Sequence, residues 1–222
     1  MRKFLFPLVV GLGGLVVLLY LGFWQLDRLE WKLGVIADIE TRLAADAVPL
    51  PEDPTFETDN YRTVIMQGAA TGDEIRFLDS GTAAGTGHRI ISAFETVDGR
   101  RVMLDQGLLP LYSDDEDEAL TDEVTVQGNL IWPDDISEQA PQDDEWYARD
   151  VPAMAQALGT EPVLVVLYAA TQYDDRLTPL PVDTRNIKND HLEYAITWFL
   201  LAVVWLAMTS FYSARILRQK DD

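Results

Sequence analysis

The chain has 222 residues, no cysteine, two histidines and a formal net charge of −20. Such acidity excludes nucleic acid as a partner, because phosphate contacts need clustered Lys and Arg. The missing thiols exclude a disulfide framework and a thiolate metal site.

Met1-Arg2-Lys3 leads into a stretch without charge from Phe4 to Trp24. At about 1.5 Å per residue a helix of that length crosses the roughly 30 Å of a bilayer core. It exceeds the roughly 7–15 apolar residues of a secretory signal. No small-x-small cleavage site follows at Gly22-Phe23-Trp24-Gln25, so it reads as an uncleaved transmembrane helix. Gly11, Gly13, Gly14 and Gly22 let another helix approach it. Leu26, Leu29, Leu33, Ile36 and Leu43 then recur at helical spacing, which continues the span as an amphipathic helix over 25–45. Trp24, Arg28 and Trp31 share a second face at the membrane surface, a pattern that interfacial anchoring to lipid phosphate also explains.

Pro49, Pro51 and Pro54 mark a linker. Beyond it, Tyr61–Gln67, Glu74–Leu78 and Arg89–Val97 have the β-branched and aromatic texture of strands, Arg101–Gln106 follows a hairpin signal, and Glu123–Ile131 and the apolar run Val163–Tyr168 are further strand candidates. Asp98-Gly99 gives a two-residue hairpin signal. One short helix has Asp150 near its N-cap, Pro152 in its first turn and Gly159 at its end. From Val102 to Asp175 there are 18 acidic residues and one basic residue, Arg149. The run Asp114 to Glu118 lacks the spaced ligands and turn glycine of a Ca²⁺ loop and reads as solvated.

A second apolar stretch, Leu192 to Tyr212, follows Asn189-Asp190-His191. The fold class is therefore an α+β membrane protein: two transmembrane helices bracket one mainly antiparallel β domain, a small barrel or sandwich, with a short helix. The divisions are 1–3, transmembrane 4–24, an outer domain 25–190 with its β part at 55–185, transmembrane 191–212, and a tail 213–222. Between Trp24 and Tyr194 stand 35 acidic and 12 basic residues, whereas Arg2, Lys3, Arg215, Arg218 and Lys220 flank the spans. The positive-inside rule then places both termini in the cytoplasm and the acidic domain outside.

Catalytic constellations are missing. Gly81-x-x-x-Gly85-x-Gly87 lacks the Lys-Ser/Thr of a phosphate loop, and neither His88 nor His191 completes a Ser-His-Asp order. An enzyme is disfavoured. His191, at a membrane boundary, is the best-placed side chain for a haem iron or transition metal; hydrogen bonding to lipid or backbone is the other reading.

Leu21-Gly22-Phe23-Trp24-Gln25-Leu26-Asp27-Arg28-Leu29-Glu30-Trp31-Lys32 resembles the opening signature of the Surfeit-locus family of cytochrome c oxidase assembly proteins. Tyr61-Arg62-Thr63-Val64 with Gly68, then Gly107 with Pro110, then Trp146 with Arg149-Asp150, resemble its later blocks. Asn189, His191, Leu192, Tyr194, Ala195, Thr197, Trp198 and Phe199 match its second-span motif. The chain departs at Gln106 (usually Arg), Leu108 (usually aromatic), Asp190 (usually Asn) and Glu193, an added acid.

The resemblance implies an assembly factor that binds haem a transiently at the membrane boundary and assists its insertion into the largest oxidase subunit. It implies His191 as the ligand to the haem iron. Haem a synthase and membrane lipid are further expected partners, and the expected location is the bacterial inner membrane with a periplasmic domain. Tyr194 and Trp198 join His191 in the candidate cofactor-binding set. From charge and depth alone we add Trp24, stacking on the ring edge, and Arg28, forking onto a propionate. The competing reading is a tether without haem, whose β domain holds oxidase assembly intermediates together.

Overall fold

The computed structural model describes residues 2–82, 84–111, 122–133, 145–172 and 174–218. The acidic run Asp114 to Glu118 lies outside the described residues. Four helices occur among them: α1 (Arg2–Leu43), α2 (Phe56–Asp59), α3 (Val151–Leu158) and α4 (His191–Arg218). Seven strands accompany them: β1 (Val48–Pro49), β2 (Thr63–Thr82), β3 (Gly85–Thr96), β4 (Arg101–Pro110), β5 (Val124–Ile131), β6 (Glu145–Trp146) and β7 (Leu164–Ala170). They form two compact units. One comprises α1 to Asp38 together with the chain from Arg185; the other is Ile39–Thr184.

In the second unit the sheet closes on itself. The order β2-β3-β4-β7-β5 returns to β2 through its first residues, Thr63 to Gly68, which pair with β5. Four of these five pairings are antiparallel and β4–β7 is parallel. The result is a barrel, the first of the two shapes expected. Tyr61–Gln67 and Glu74–Leu78, expected as separate strands, are parts of the single 20-residue β2, which bends at an irregularity between Ala70 and Glu74. The expected two-residue hairpin is a three-residue loop, Val97-Asp98-Gly99. Thr96 N–H donates to Arg100 O at 2.8 Å, and Gly99 supplies a φ of +85°.

Two apolar clusters flank the barrel wall, and strand alternation sorts residues between them. Val64, Met66, Phe94, Val102, Leu104, Val126, Leu130, Val165 and Leu167 fill the barrel interior. Ile75, Ile91, Met103, Leu164 and Val166 face outward onto Val151, Met154, Ala155 and Leu158 of α3. β7 is buried on both faces, which is why Val163 to Leu167 reads as an unbroken apolar run. α3 is capped as its sequence requires: Asp150 Oδ1 accepts from Ala153 N–H at 3.1 Å, and Gly159 ends it in the left-handed region at φ 62°.

Buried polar groups hold the barrel's long connections. Arg89 and Asp105 face each other across β3 and β4 with Nη2 and Oδ2 2.7 Å apart, Asp105 being fully buried. At that distance the two form a buried ion pair. Asp105 Oδ1 accepts from Gly107 N–H at 3.1 Å, and Arg89 Nη2 also donates to Leu180 O at 3.4 Å. Burial pushes the Asp105 carboxyl above its ordinary range, with Arg89 opposing. Gln106 is the extra residue of a bulge in β4 and donates to Ser92 Oγ at 2.6 Å, while Leu108 is fully buried. Gly107 has φ +119°, and a Cβ there would lie 2.3 Å from Thr178 O. Its place in the sequence motif thus has a backbone cause.

Candidate functional site

The first unit contains two antiparallel helices, each with an apolar stretch long enough to cross a membrane, Val9–Leu43 and His191–Ile216 among the described residues. Most of their large apolar side chains are exposed, Val16, Tyr20, Phe23, Leu200, Val203 and Phe211 among them. In water that would be untenable; in a bilayer it is the lipid-facing surface. This is a membrane protein.

The helices meet along one seam. On α1 it runs through Gly11, Gly14, Leu18, Gly22, Gln25 and Leu29, positions three or four apart. Bulky partners on α4 fill the space the glycines leave. A Cβ added at Gly22 would stand 2.6 Å from the Phe199 ring, one at Gly14 2.6 Å from Trp205, and one at Gly11 2.2 Å from Thr209. Trp205 Nε1–H donates to Gly11 O at 2.8 Å, and Phe23 meets Phe199 edge-on at 5.3 Å between centroids. These contacts fix which turn of α1 faces which turn of α4.

That register brings Gln25 opposite His191, the first residue of α4. His191 Nδ1 lies 2.8 Å from Gln25 Oε1. Gln25 is buried at 9% exposure and His191 is half-buried. Two residues earlier, Asn189 Oδ1 is buried with no hydrogen-bond partner among the described residues. Asp190 pairs with Lys188 at 2.9 Å, an exposed contact that raises the Lys188 ammonium above its ordinary value. Glu193 stands in the first turn of α4, where the partial positive charge of the helix N-terminus favours an acid.

Tyr194 and Trp198 follow His191 at three and seven residues, on the same stripe of α4. Tyr194 is exposed and Trp198 half-buried. On α1 the guanidinium of Arg28 lies between two indoles, 5.8 Å from the Trp24 centroid and 5.2 Å from that of Trp31. Gln25 sits next to Trp24 and three residues before Arg28, so these groups share the level of His191. No hydrogen bond or ring contact among the described residues joins Arg28 to His191. His88, the other histidine, lies far along the chain in β3, opposite Leu78 and Leu109.

Residues 12–203 match the SURF1 family. The chain belongs to that family. Surfeit locus protein 1 of Homo sapiens is 28% identical over 210 residues, covering 82% of this chain and 69% of the human one. A SURF1-like protein of Caenorhabditis elegans is 30% identical over 221 residues, covering 85% and 68%. Surfeit locus protein 1 of Takifugu rubripes is 25% identical, covering 84% and 90%. SURF1 is a family of cytochrome c oxidase assembly factors, and the resemblance read from the motifs is therefore correct.

Within the SURF1 motifs the structure separates two kinds of residue. Arg62 pairs with Asp59 at 2.7 Å, and Thr63 Oγ1 donates to Leu43 O at 3.2 Å. Trp146 packs against the outer apolar cluster and Asp150 caps α3. Those motifs build the barrel. Gln25 and His191 instead meet each other across the two helices. Sequence reasoning quoted Gln25 but assigned it no role. The available signal was a lone amide on the glycine face of a spanning helix.

Proposed function

We propose that this chain assists cytochrome c oxidase assembly by holding haem a at the membrane boundary and helping its insertion into the largest oxidase subunit. The observation that supports this most is His191: an imidazole at the head of a membrane helix, with Nδ1 engaged and Nε2 making no hydrogen bond among the described residues. The donor set suits a haem rather than a bare ion. No group of three or more His, Cys, Asp or Glu converges among the described residues, and a porphyrin, which supplies four nitrogens itself, needs only one imidazole.

When bound, haem a would supply an iron that accepts an imidazole, together with two carboxylates and an isoprenoid tail. His191 would hold the iron. Tyr194 and Trp198, on the same stripe, would present aromatic surface to the macrocycle, and the exposed apolar flanks of α1 and α4 would offer the tail a lipid-like surface. Arg28 and Trp24 are the propionate-side candidates. A single imidazole suits a carrier that must release its load to the oxidase, or receive it from haem a synthase.

His191→Ala is expected to abolish the Soret absorption of full-length protein purified from cells that make haem a, while the protein still accumulates in the membrane. Unchanged haem content would leave the tether reading in its place. We place the chain in the bacterial inner membrane with both termini cytoplasmic and the barrel periplasmic. Protease added to spheroplasts should digest the barrel and spare the tail from Arg215; loss of the tail instead reverses the orientation.

A further inference from the structure

We infer that Gln25 is a positioning residue for His191: its side-chain oxygen holds the imidazole as the Nδ1–H tautomer and so reserves Nε2 for a metal. The inference rests on the reading of His191 as a haem ligand and adds the partner that prepares it.

A neutral imidazole carries one N–H, on either nitrogen, and the other nitrogen has the lone pair that ligates. Nothing in the ring itself chooses between them. An amide oxygen cannot donate, so Nδ1 at 2.8 Å from Gln25 Oε1 must carry the hydrogen. The lone pair then belongs to Nε2. Histidine ligands elsewhere are prepared in the same way, by a carbonyl or carboxylate that accepts from the nitrogen not bound to metal. Such an acceptor also fixes the plane of the ring.

The surroundings make Gln25 fit for this work. It is buried in the seam, so water competes poorly for His191 Nδ1. One turn away, Gly22 receives the Phe199 ring, and one turn past His191 on α4, Ala195 is buried at 1% exposure. Sliding either helix would break those contacts, so the Gln25–His191 level is set by the whole seam. Neither helix needs the bond for its own formation, because its backbone groups are satisfied internally. An interhelical hydrogen bond of this kind can join the helices, but joining them is indifferent to which ring nitrogen carries the hydrogen, whereas ligation is not.

Rotation of the amide would reverse the outcome: its NH2 would donate to Nδ1 and leave the hydrogen on Nε2. Nitrogen NMR separates the two. Full-length His88→Gln protein, labelled with 15N-histidine and free of haem, has one imidazole to observe. At about pH 8.5, where an imidazole is ordinarily neutral, Nδ1 is expected as the protonated nitrogen. Protonated Nε2 overturns the inference, whatever the haem content proves to be.

The second measurement is haem retention by full-length protein from cells that make haem a. Gln25→Leu removes the acceptor and should lower retention about 10- to 100-fold, the usual effect of losing such a partner. Gln25→Glu keeps an acceptor at the same reach and should restore most of it. Failure of Glu to rescue, or no loss with Leu, overturns the role of Gln25. Loss of haem in His191→Ala with wild-type retention in Gln25→Leu would overturn this inference alone; wild-type retention in His191→Ala would overturn the functional reading beneath it.

Discussion

The barrel and the helix pair use buried polar groups for opposite ends. In the barrel each one is committed to the fold: Arg89 with Asp105 ties β3 to β4 and reaches Leu180, Gln106 reaches Ser92, and Asn129 Nδ2 donates to Thr63 Oγ1 at 3.0 Å. In the helix pair, Gln25 is a buried polar side chain whose partner is the histidine at the head of α4. A water-exposed domain must satisfy polar groups wherever its strands bulge or cross. A pair of membrane helices satisfies its backbone internally, so a side-chain pair in the seam is free either to join the helices or to prepare a ligand, and the Gln25 variants separate the two.

That contrast is most exposed to test in the barrel. Arg89→Met leaves a fully buried carboxylate without its cation, and removing one member of a buried pair costs about 3–5 kcal/mol. Chemical denaturation of the full chain in detergent measures it. The sign of the pH dependence follows from Asp105, whose carboxyl burial already lifts. Without Arg89 its folded-state value rises further, so the folded variant binds a proton that the unfolded chain releases. The deficit should then shrink as pH falls and grow as pH rises through that raised value. Replacing both, as Arg89→Met with Asp105→Leu, should recover most of the loss; recovery of haem retention is not at stake. If instead either change removed haem and left stability alone, the division between the two regions would be wrong.

Gly107→Ala comes next. With φ at +119° and Thr178 O 2.3 Å from the added carbon, it should cost about 1–3 kcal/mol and loosen the segment after β7. In the helix pair the matching change is Gly14→Leu, which collides with the Trp205 ring. Its effect should fall on haem retention and on tryptophan emission, with the barrel's denaturation midpoint unchanged. A shifted barrel midpoint would tie the two regions together energetically.

Much of the barrel was legible because its signals are local. β3, β5 and β7 follow from β-branched or apolar runs, β4 from the Asp98-Gly99 turn before it, and α3 from Asp150, Pro152 and Gly159. β2 was read as two strands because Gly68-Ala69-Ala70-Thr71-Gly72-Asp73 has little strand propensity of its own. Its partner β3, aligned over Glu95 and Phe94, supplies the ladder. α2 was hidden in a proline-rich linker, where Thr55 accepts from Thr58 N–H as its cap. The parallel β4–β7 pairing, which completes the circle, is non-local and carries no short-range mark. The place of His191 at the head of α4 was legible from the sequence, but its contact with Gln25 was not, since the two stand 166 residues apart.

Acid should expose a smaller difference. Asp59 has its carboxyl lowered below the ordinary range: burial opposes this, but the Thr58 hydroxyl, Thr55 N–H and Arg62 outweigh it. A lowered folded-state value means this stability is present above the unfolded value and lost as pH falls through the folded one. Because Arg62 is nearly half exposed, about 1 kcal/mol or less is involved. Asp59→Asn should flatten the acid limb of the stability curve below about pH 4 and leave stability differences between pH 6 and 8 unchanged. An unaltered acid limb would show that the Asp59 cluster does not hold the start of β2.

Arg28 gives the smallest and most divided expectation. Its guanidinium is occupied by two indoles, Trp24 and Trp31, on the exposed side of α1. Exposed cation–π contacts are worth about 0.5–1 kcal/mol, enough to hold the side chain at the level of His191 but not enough to prevent it from turning. A haem propionate beside it, shielded from water, offers a charge-assisted bond of about 1.5–3 kcal/mol, whereas an exposed lipid phosphate offers less. Arg28→Gln should therefore lower haem retention several-fold, less than His191→Ala, which abolishes it. Arg28→Lys keeps the charge but loses the planar fork and the stacking, and should fall between wild type and Gln. Retention within about twofold of wild type, close to 0.4 kcal/mol, would make Arg28 a lipid anchor alone. In that event Gln25 and His191 remain the polar elements of the site, and the propionates must find their cation elsewhere.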